Sequence, residues 1–566
     1  MDDLLAGLNL DLFHLVMSLA DRCTVSRLMQ TCRALNHEGA RSIFLEDPQL
    51  DTGRNFKSFV RAARGDAAEV ARRLERLRGL RVDLQEEDRE AIVLAPLLKQ
   101  FLVERALYLK NLVRLNINGL CDLIRVEPEL PAAIAALTTL RSLVIRRVEH
   151  RGLGMVRDLQ SRLTHAVIAL VGGTLDKLAD RDLTVLLQRS SSRMTLRSLS
   201  YESVLKPVVS TSPACYPHVR HLSLNRAETL VTRNLVAVFP HLETLHASWL
   251  VLTPFPGDYD RVLVRHRTKN IAEQHQHGSW SSLRRFTGSL TMLYVLGLTC
   301  HVPHISVGII DENEGFEFGW ARAIVQDTRP THLTFDIGFP SYLANEEHLV
   351  EELTALFSQE SLKDIEVLRV NLILYPGDLD LELGLLLDTF LEAIALCSAE
   401  AVALTVDSRM LSRGRFSRDS PEAPGAVEGY LRNIDAHALV IRLVEMAPFL
   451  RTVIISHDGW GYQSVTAQRG PDIAEVADAD VDFDDVVREL QPPSDVPMPE
   501  WPECVPLDAG VAGAANGNDS DDSDEESDGR GGEITPELLN FQYPSLDSFA
   551  LSSYARPIAR IKLWDE

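Results

Sequence analysis

One short apolar pattern, Leu-x-x-Leu-x-Leu, recurs along most of this 566-residue chain and limits its fold more than any other feature. It is read at "LRGLRVDL" from Leu77, "LVRLNINGL" from Leu112, "LRSLVI" from Leu140, "LRSLSYE" from Leu196, "VRHLSLN" from Val219 and "LETLHAS" from Leu242. It continues at "LRRFTG" from Leu283, "THLTFDI" from Thr331, "IEVLRVNL" from Ile365, "AVALTVD" from Ala401, "LRTVIIS" from Leu450 and "LDSFALSS" from Leu546. "LTHAVIAL" near Leu163 is a weaker version. A strand of about four residues buries alternate side chains on one face. The apolar residue three positions earlier points into the same core from the turn before the strand. One such unit cannot cover its own hydrophobic face, but a stack of them can. Helical runs lie between the strands. One is "EDREAIVLAPLLKQFLVERAL", with apolar positions Ile92, Val93, Leu97, Leu98, Phe101, Leu102 and Ala106; others are "LVEELTALFSQ" and "LGLLLDTFLEAIALC".

The intervals sharpen this reading. Leu199, Leu222 and Leu245 are 23 residues apart, Leu115 and Leu143 are 28 apart, and Leu80 to Leu115 and Leu333 to Leu368 both span 35. Leu368 to Leu404 spans 36. The short intervals fall within the about 20 to 29 residues of leucine-rich repeats. The longer ones call for larger helices or insertions. Asn116, Asn118 and Asn225 lie near expected turns, although the asparagine of regular repeats is otherwise scarce. The expected fold class is α/β, an irregular leucine-rich-repeat solenoid over 48–566. An ordinary α/β domain with a parallel sheet has similar grammar and is the competing fold. Two interruptions are expected, a polar insert at about 253–282 and an acidic one at about 471–535. The acidic core "AANGNDSDDSDEESDGRGGE" has almost no apolar residues and should be disordered. The pattern returns after it, at "QYPSLDSFALSS".

Charge follows the same division. Between Pro471 and Glu533 there are 20 Asp or Glu against Arg488 and Arg530, a net −18, which leaves −6 of the chain's −24 for everything else. A general nucleic-acid-binding surface is not expected of such a chain. Arg61, Arg64, Arg72, Arg73, Arg76, Arg78 and Arg81 form one basic run, read either as a nucleic-acid contact or as a solvent-facing helix paired with Asp66, Glu69 and Glu75. The seven cysteines are scattered and contain no CxxC pair, which argues against a disulfide framework or a structural zinc site. The start, "MDDLLAG", lacks the basic region of a signal peptide, and no charge-free apolar run is long enough to span a membrane. A cytoplasmic or nuclear location is expected, with no membrane partner.

No catalytic grammar is present: there is no P-loop, no GxGxxG after a strand, no GxSxG and no HExxH. An enzyme is not expected, and neither is a cofactor. His275 and His277 in "HQHG", and Cys300, His301 and His304 in "CHVPH", are metal-ligand types without four convergent members, so they read as loop histidines and a strand-end cysteine. In "DADVDFDDVVRE", Asp478, Asp480, Asp482 and Glu489 match EF-hand positions, but Phe483 replaces the turn glycine and Asp485 the aliphatic residue. Ser520, Ser523 and Ser527 lie in acidic context and are possible phosphorylation sites, in a segment that otherwise serves to solubilise.

The first 47 residues follow a different grammar. "LDLFHLVMSL" and "VSRLMQTCRAL" are helical in pattern and separated by "DRCT", where Asp21 or Thr24 could cap the second helix. About 40 residues cannot bury much of their own surface. Their apolar face either docks a partner or caps the solenoid, and Phe13 is the largest anchor.

This module resembles an F-box. The match begins at Leu8, Asn9, Leu10, Asp11, Leu12 and Phe13 and continues through Val16, Leu19, Leu28, Cys32, Arg33 and Leu35. Asn9 stands where the family has proline, and Leu35 where tryptophan is common. "SRLMQTCRALNHEGAR" is similar to F-box-like proteins of mushroom-forming fungi, which carry irregular leucine-rich repeats behind the F-box. The resemblance implies the substrate receptor of an SCF-type cullin-RING ubiquitin ligase. Leu8, Leu10, Leu12, Phe13, Val16, Leu19, Leu28, Cys32 and Leu35 would face a Skp-type adaptor and, through it, a cullin. The repeats would hold a target protein on the strand face, and no residue of the chain would do covalent chemistry. The alternative is a leucine-rich-repeat interaction scaffold without a ubiquitin role, in which the N-terminal helices are a cap.

Overall fold

The computed structural model describes residues 15–17, 19–20, 22–29, 31, 39, 48–63, 67–84, 88–170, 195–205, 215–227, 230–248, 259–309, 318–338, 349–409, 411, 425–458, 463–468 and 559–560. Met1–Val476 and Arg560–Glu566 form one compact unit and Ala477–Ala559 a second. The acidic segment, the EF-hand-like stretch at 478–489, the strand expected from Leu546, and Ser520, Ser523 and Ser527 lie outside the described residues.

The apolar pattern builds one long sheet. Its strands are β1 (Gln49–Leu50), β2 (Gly79–Asp83), β3 (Arg114–Asn118), β4 (Ser142–Val148), β5 (His165–Leu170), β6 (Ser198–Leu205) and β7 (His221–Ala227). They continue with β8 (Thr244–Ser248), β9 (Arg285–Ser289), β10 (His304–Ile309), β11 (His332–Gly338), β12 (Val367–Ile373), β13 (Ala401–Asp407), β14 (Thr452–Asp458) and β15 (Gln463–Gln468). Each strand pairs with the next in chain order. The 14 strands β1 to β14 are all parallel, and β15 turns back antiparallel on β14. Parallel neighbours need crossovers, and helices supply them. The chain is therefore an α/β solenoid of repeat-like units.

Two inward-facing ladders carry the core. The first runs Leu80, Leu115, Leu143, Ala166, Leu199, Leu222, Leu245, Phe286 and Ile305 in direct register. It continues through Leu333, Leu368, Val402 and Val453. The second, two residues further along each strand, includes Val82, Ile117, Ile145, Ile168, Tyr201 and Leu224. These side chains are buried and belong to a single continuous hydrophobic core. The 23-residue steps at Leu199, Leu222 and Leu245 are true register partners. The 36-residue step is corrected: Leu368 pairs with Val402, 34 residues on, and Leu404 faces Val370. The weak match at Leu163 is a full strand, β5. The short β1, the antiparallel β15 and β10 lack the Leu-x-x-Leu-x-Leu spelling and add to the expected set.

Two helical expectations are also corrected. In the helix Asp88–Arg105 the buried face is Ala91, Leu94, Ala95, Leu98, Phe101 and Leu102, while Ile92 and Val93 face solvent. Much of the expected polar insert at 253–282 is a 19-residue helix, Tyr259–His277, that belongs to the stack. It packs over the helices Thr232–Val238 and Leu290–Leu296. Every residue of Leu290–Leu296 is buried, so its exposed-end carbonyls have no water to meet. A polar stripe on the outer helix meets them instead. Arg267 donates to the Tyr294 carbonyl at 2.8 Å, and Asn270 donates to the carbonyls of Val295 at 2.8 Å and Leu230 at 3.0 Å. Gln274 donates to the carbonyls of Leu296 at 3.2 Å and Gly297 at 2.7 Å. The Asn270 side chain also accepts from the Thr232 backbone N–H at 3.2 Å. Arg267 lies over the Tyr294 ring and pairs with Asp327. The segment is polar in sequence because its buried face serves backbone groups.

Candidate functional site

Two surfaces are candidates: the N-terminal helices and the open face of the sheet. In the N-terminal module the described helix Arg22–Met29 buries Val25 and Met29, and Met17 is buried beside them. A Cβ on Gly39 would meet Met29 Cγ at 2.3 Å and Met17 Cε at 2.9 Å, so these residues pack without space for a side chain there. Met17, Val25 and Met29 lie in the same continuous core as Leu50 and Phe56. Three aliphatic residues of the module are exposed instead. Leu15 is 57% exposed, Val16 44% and Leu19 79%, an unusual cost for three aliphatic residues within five positions. Of the expected adaptor-facing residues, Val16 and Leu19 are therefore outward, and Leu28 is partly buried against the core. Leu8, Leu10, Leu12, Phe13, Cys32 and Leu35 lie outside the described residues.

The open face of the sheet is polar along most of its length. Its trailing end carries side-chain ladders: Asn118 donates to Asp83 at 2.9 Å, Ser248 to Asn225 at 2.8 Å and Asn371 to Asp336 at 2.5 Å. Burial raises the Asp336 carboxyl above its ordinary range. Asn118 thus ends β3, Asn225 lies two residues before the end of β7, and Asn116 faces the open side of β3.

The leading end of the strands carries histidines. His165, His221, His304 and His332 occupy the first position of β5, β7, β10 and β11. His304 and His332 are register partners with ring centroids 4.3 Å apart, and Arg285 is the register partner on the other side of His304. Burial, then the His332 and Arg285 charges, pushes His304 down to about 4. Burial also lowers His332, His165 and His221. Burial disfavours protonating these rings in the fold, while the same residues titrate near their ordinary value in the unfolded chain. Stability should be insensitive to them above that value and fall as pH drops below about 6.5, the His304 contribution falling towards about 4, because the unfolded state takes up protons more readily. The variant His304→Asn/His332→Asn is expected to show a flatter decline of melting temperature with falling pH in that window. Parallel curves for variant and wild type would contradict it.

The metal-ligand types from the sequence are scattered. His275 and His277 sit in the last turn of a helix instead of a loop, His301 is exposed with its Nδ1 3.2 Å from the Thr328 carbonyl, and His304 opens β10. Among the described residues no three His, Cys, Asp or Glu are placed to hold a metal ion. The Cys121 and Cys397 thiols are buried and pushed up to about 11, and burial raises Cys300 as well, so these three are poor nucleophiles at neutral pH. Of the basic run, Arg61 is exposed near the end of one helix, Arg78 precedes β2, and Arg81 lies on β2 paired with Asp83 at 3.2 Å. It is not one helical stripe. Among the described residues no helix is long and apolar enough to cross a membrane. No protein-family model matches the chain, and no curated protein does. Fold and surfaces together define a repeat-like α/β solenoid with an apolar patch at its N-terminal end and a polar strand face.

Proposed function

We propose that the chain is the substrate-recognition subunit of an SCF-type cullin-RING ubiquitin ligase. In this reading an F-box-like module, 1–47, binds a Skp-type adaptor and a leucine-rich-repeat solenoid holds the target. The observation that carries it is the two-sided N-terminal module. Met17, Val25 and Met29 anchor it to the core, while Leu15, Val16 and Leu19 present an apolar surface outward. The chain would act by raising the effective concentration of a target lysine near the loaded conjugating enzyme. It would carry out no covalent step itself. A target protein suits the strand face, where polar side chains repeat at the spacing of the sheet.

The test is reconstitution with a purified Skp-type adaptor. Wild type should bind, and Val16→Asp/Leu19→Asp should weaken binding at least about a hundredfold by placing two charges in an apolar contact. The melting temperature should be unchanged, because both residues are already exposed. Failure of the wild-type chain to bind the adaptor sinks the reading. The second reading, an interaction scaffold capped by these helices, is favoured by the burial of Met17, Val25 and Met29. It expects deletion of 1–45 to destabilise the solenoid.

A further inference from the structure

The leading edge of the sheet carries a row of arginines whose spacing the backbone fixes. The residue two before the first inward ladder position hydrogen-bonds to its counterpart in the preceding repeat. Val113 N–H donates to the Arg78 carbonyl at 2.8 Å, Arg141 to Val113 at 2.8 Å, Thr164 to Arg141 at 2.7 Å and Arg197 to Thr164 at 2.8 Å. Arg220 donates to Arg197, Glu243 to Arg220 and Arg284 to Glu243, each at 2.8 Å. The seven steps from Arg78 to Arg284 span about 34 Å at the usual strand spacing of about 4.8 Å.

Along that edge Arg78, Arg141, Arg197 and Arg284 are exposed and Arg220 is half-buried, with Arg285 adjoining on β9. One acid interrupts the row: Glu243, 3.5 Å from Arg220. Val113 and Thr164 are the neutral rungs within it. Beyond Arg284 the same column carries Pro303, Thr331, Glu366, Glu400 and Arg451, the last paired with Glu400 at 3.2 Å. The helix Leu130–Ala135 ends six residues before Arg141 and the helix Tyr259–His277 seven before Arg284, beyond the last turn over which a helix dipole favours cations. That effect does not account for five arginines among the eight rungs from Arg78 to Arg284 against one among the five that follow.

We propose that this arginine row is a binding site for an acidic, extended polypeptide segment of a partner protein. About ten residues of extended chain cover the row at about 3.3 Å per residue. Arginine presents a planar fork that pairs with carboxylates in two-bond geometry, and a repeated rung sets several forks in line. Val113, Thr164 and Glu243 break the row into short cationic groups, which suits the spaced carboxylates of a peptide better than the continuous phosphate charge of a nucleic acid. The inference is independent of the adaptor reading, because it concerns the leading edge of strands β2 to β9 and holds with or without an F-box.

The experiment uses the full chain and a fluorescent twelve-residue Asp/Glu peptide, with a Gly/Ser peptide and a single-stranded oligonucleotide of equal charge as comparators. Wild type should bind the acidic peptide in low salt, lose it as salt rises, and leave the Gly/Ser peptide unbound. Arg141→Glu/Arg197→Glu/Arg284→Glu should weaken binding about tenfold or more. Glu243→Gln, which removes the acid inside the row, should tighten it and serves if the triple variant does not fold. Absence of peptide binding, equal binding by wild type and both variants, or tighter binding of the oligonucleotide would overturn the proposal.

Discussion

Gly288→Ala is expected to cost about 3 kcal/mol or more and to disorder the sheet locally around β8 to β10. Gly288 has φ +152 and is the register partner of Ala247. A Cβ built there meets the Ala247 carbonyl oxygen at 1.8 Å and its carbonyl carbon at 2.6 Å. These are backbone atoms of a hydrogen-bonded neighbour, so no rotamer change relieves the clash. The strands must separate, and the buried helix Leu290–Leu296, which follows directly from β9, would be displaced with them. Gly429→Ala provides the contrast. It lies within the helix Ala426–Asn433, and a Cβ there meets nothing within 4 Å. It should be neutral or stabilise by up to about 1 kcal/mol through helix propensity. Thermal melts of the two variants, with hydrogen exchange across β8 to β10, check the pair. Equal melting temperatures would contradict the geometry.

Asn270→Ala is expected to lower stability by about 3 kcal/mol, a large loss for one polar side chain. Asn270 is 2% exposed and answers three backbone groups, the Thr232 N–H and Val295 carbonyl of two helices and the Leu230 carbonyl just before the first. Truncation leaves those groups dry. It also opens a small void between the helices Thr232–Val238 and Tyr259–His277. Lys269→Ala, one residue away on the exposed face, should change stability by less than about 0.5 kcal/mol. Denaturant midpoints measured on both variants test the difference. A loss at Asn270 no larger than at Lys269 would mean that the polar stripe does not hold the helices.

The same two sites show what was legible in the sequence. The sheet was, because the inward ladder is spelled in leucines such as Leu199, Leu222 and Leu245. The strand β10 was not, since its ladder residues are Ile305 and Val307 and its first residue, His304, reads as a loop histidine. Helix Tyr259–His277 was hidden for a related reason. Burial is inferred from apolar residues, and here Arg267, Asn270 and Gln274 are buried because they satisfy carbonyls. The arginine row was visible in the repeated "LR" of "LRGL", "LRSL" and "LRRF". Its alignment was not, because repeats of unequal length hide which arginines share an edge. In the N-terminal module the apolar positions were legible, but the division between Met17 facing inward and Val16 and Leu19 facing outward needed the fold.

Strict pairing of each strand with its sequence neighbour has a further consequence, for cooperativity. The steps between rungs vary from 19 residues, Phe286 to Ile305, to 51, Val402 to Val453, yet both ladders stay in register, the shifts in β4–β5 and β6–β7 falling beyond them. Among the described residues no strand is inserted between two earlier ones, so each repeat leans chiefly on its two neighbours. Such a chain melts as a row of coupled segments, and a weakened rung divides it into two blocks that can open separately. The junction of β8 and β9, where 41 residues separate Leu245 from Phe286 and a dry helix is held by polar side chains, is where the first such division should occur.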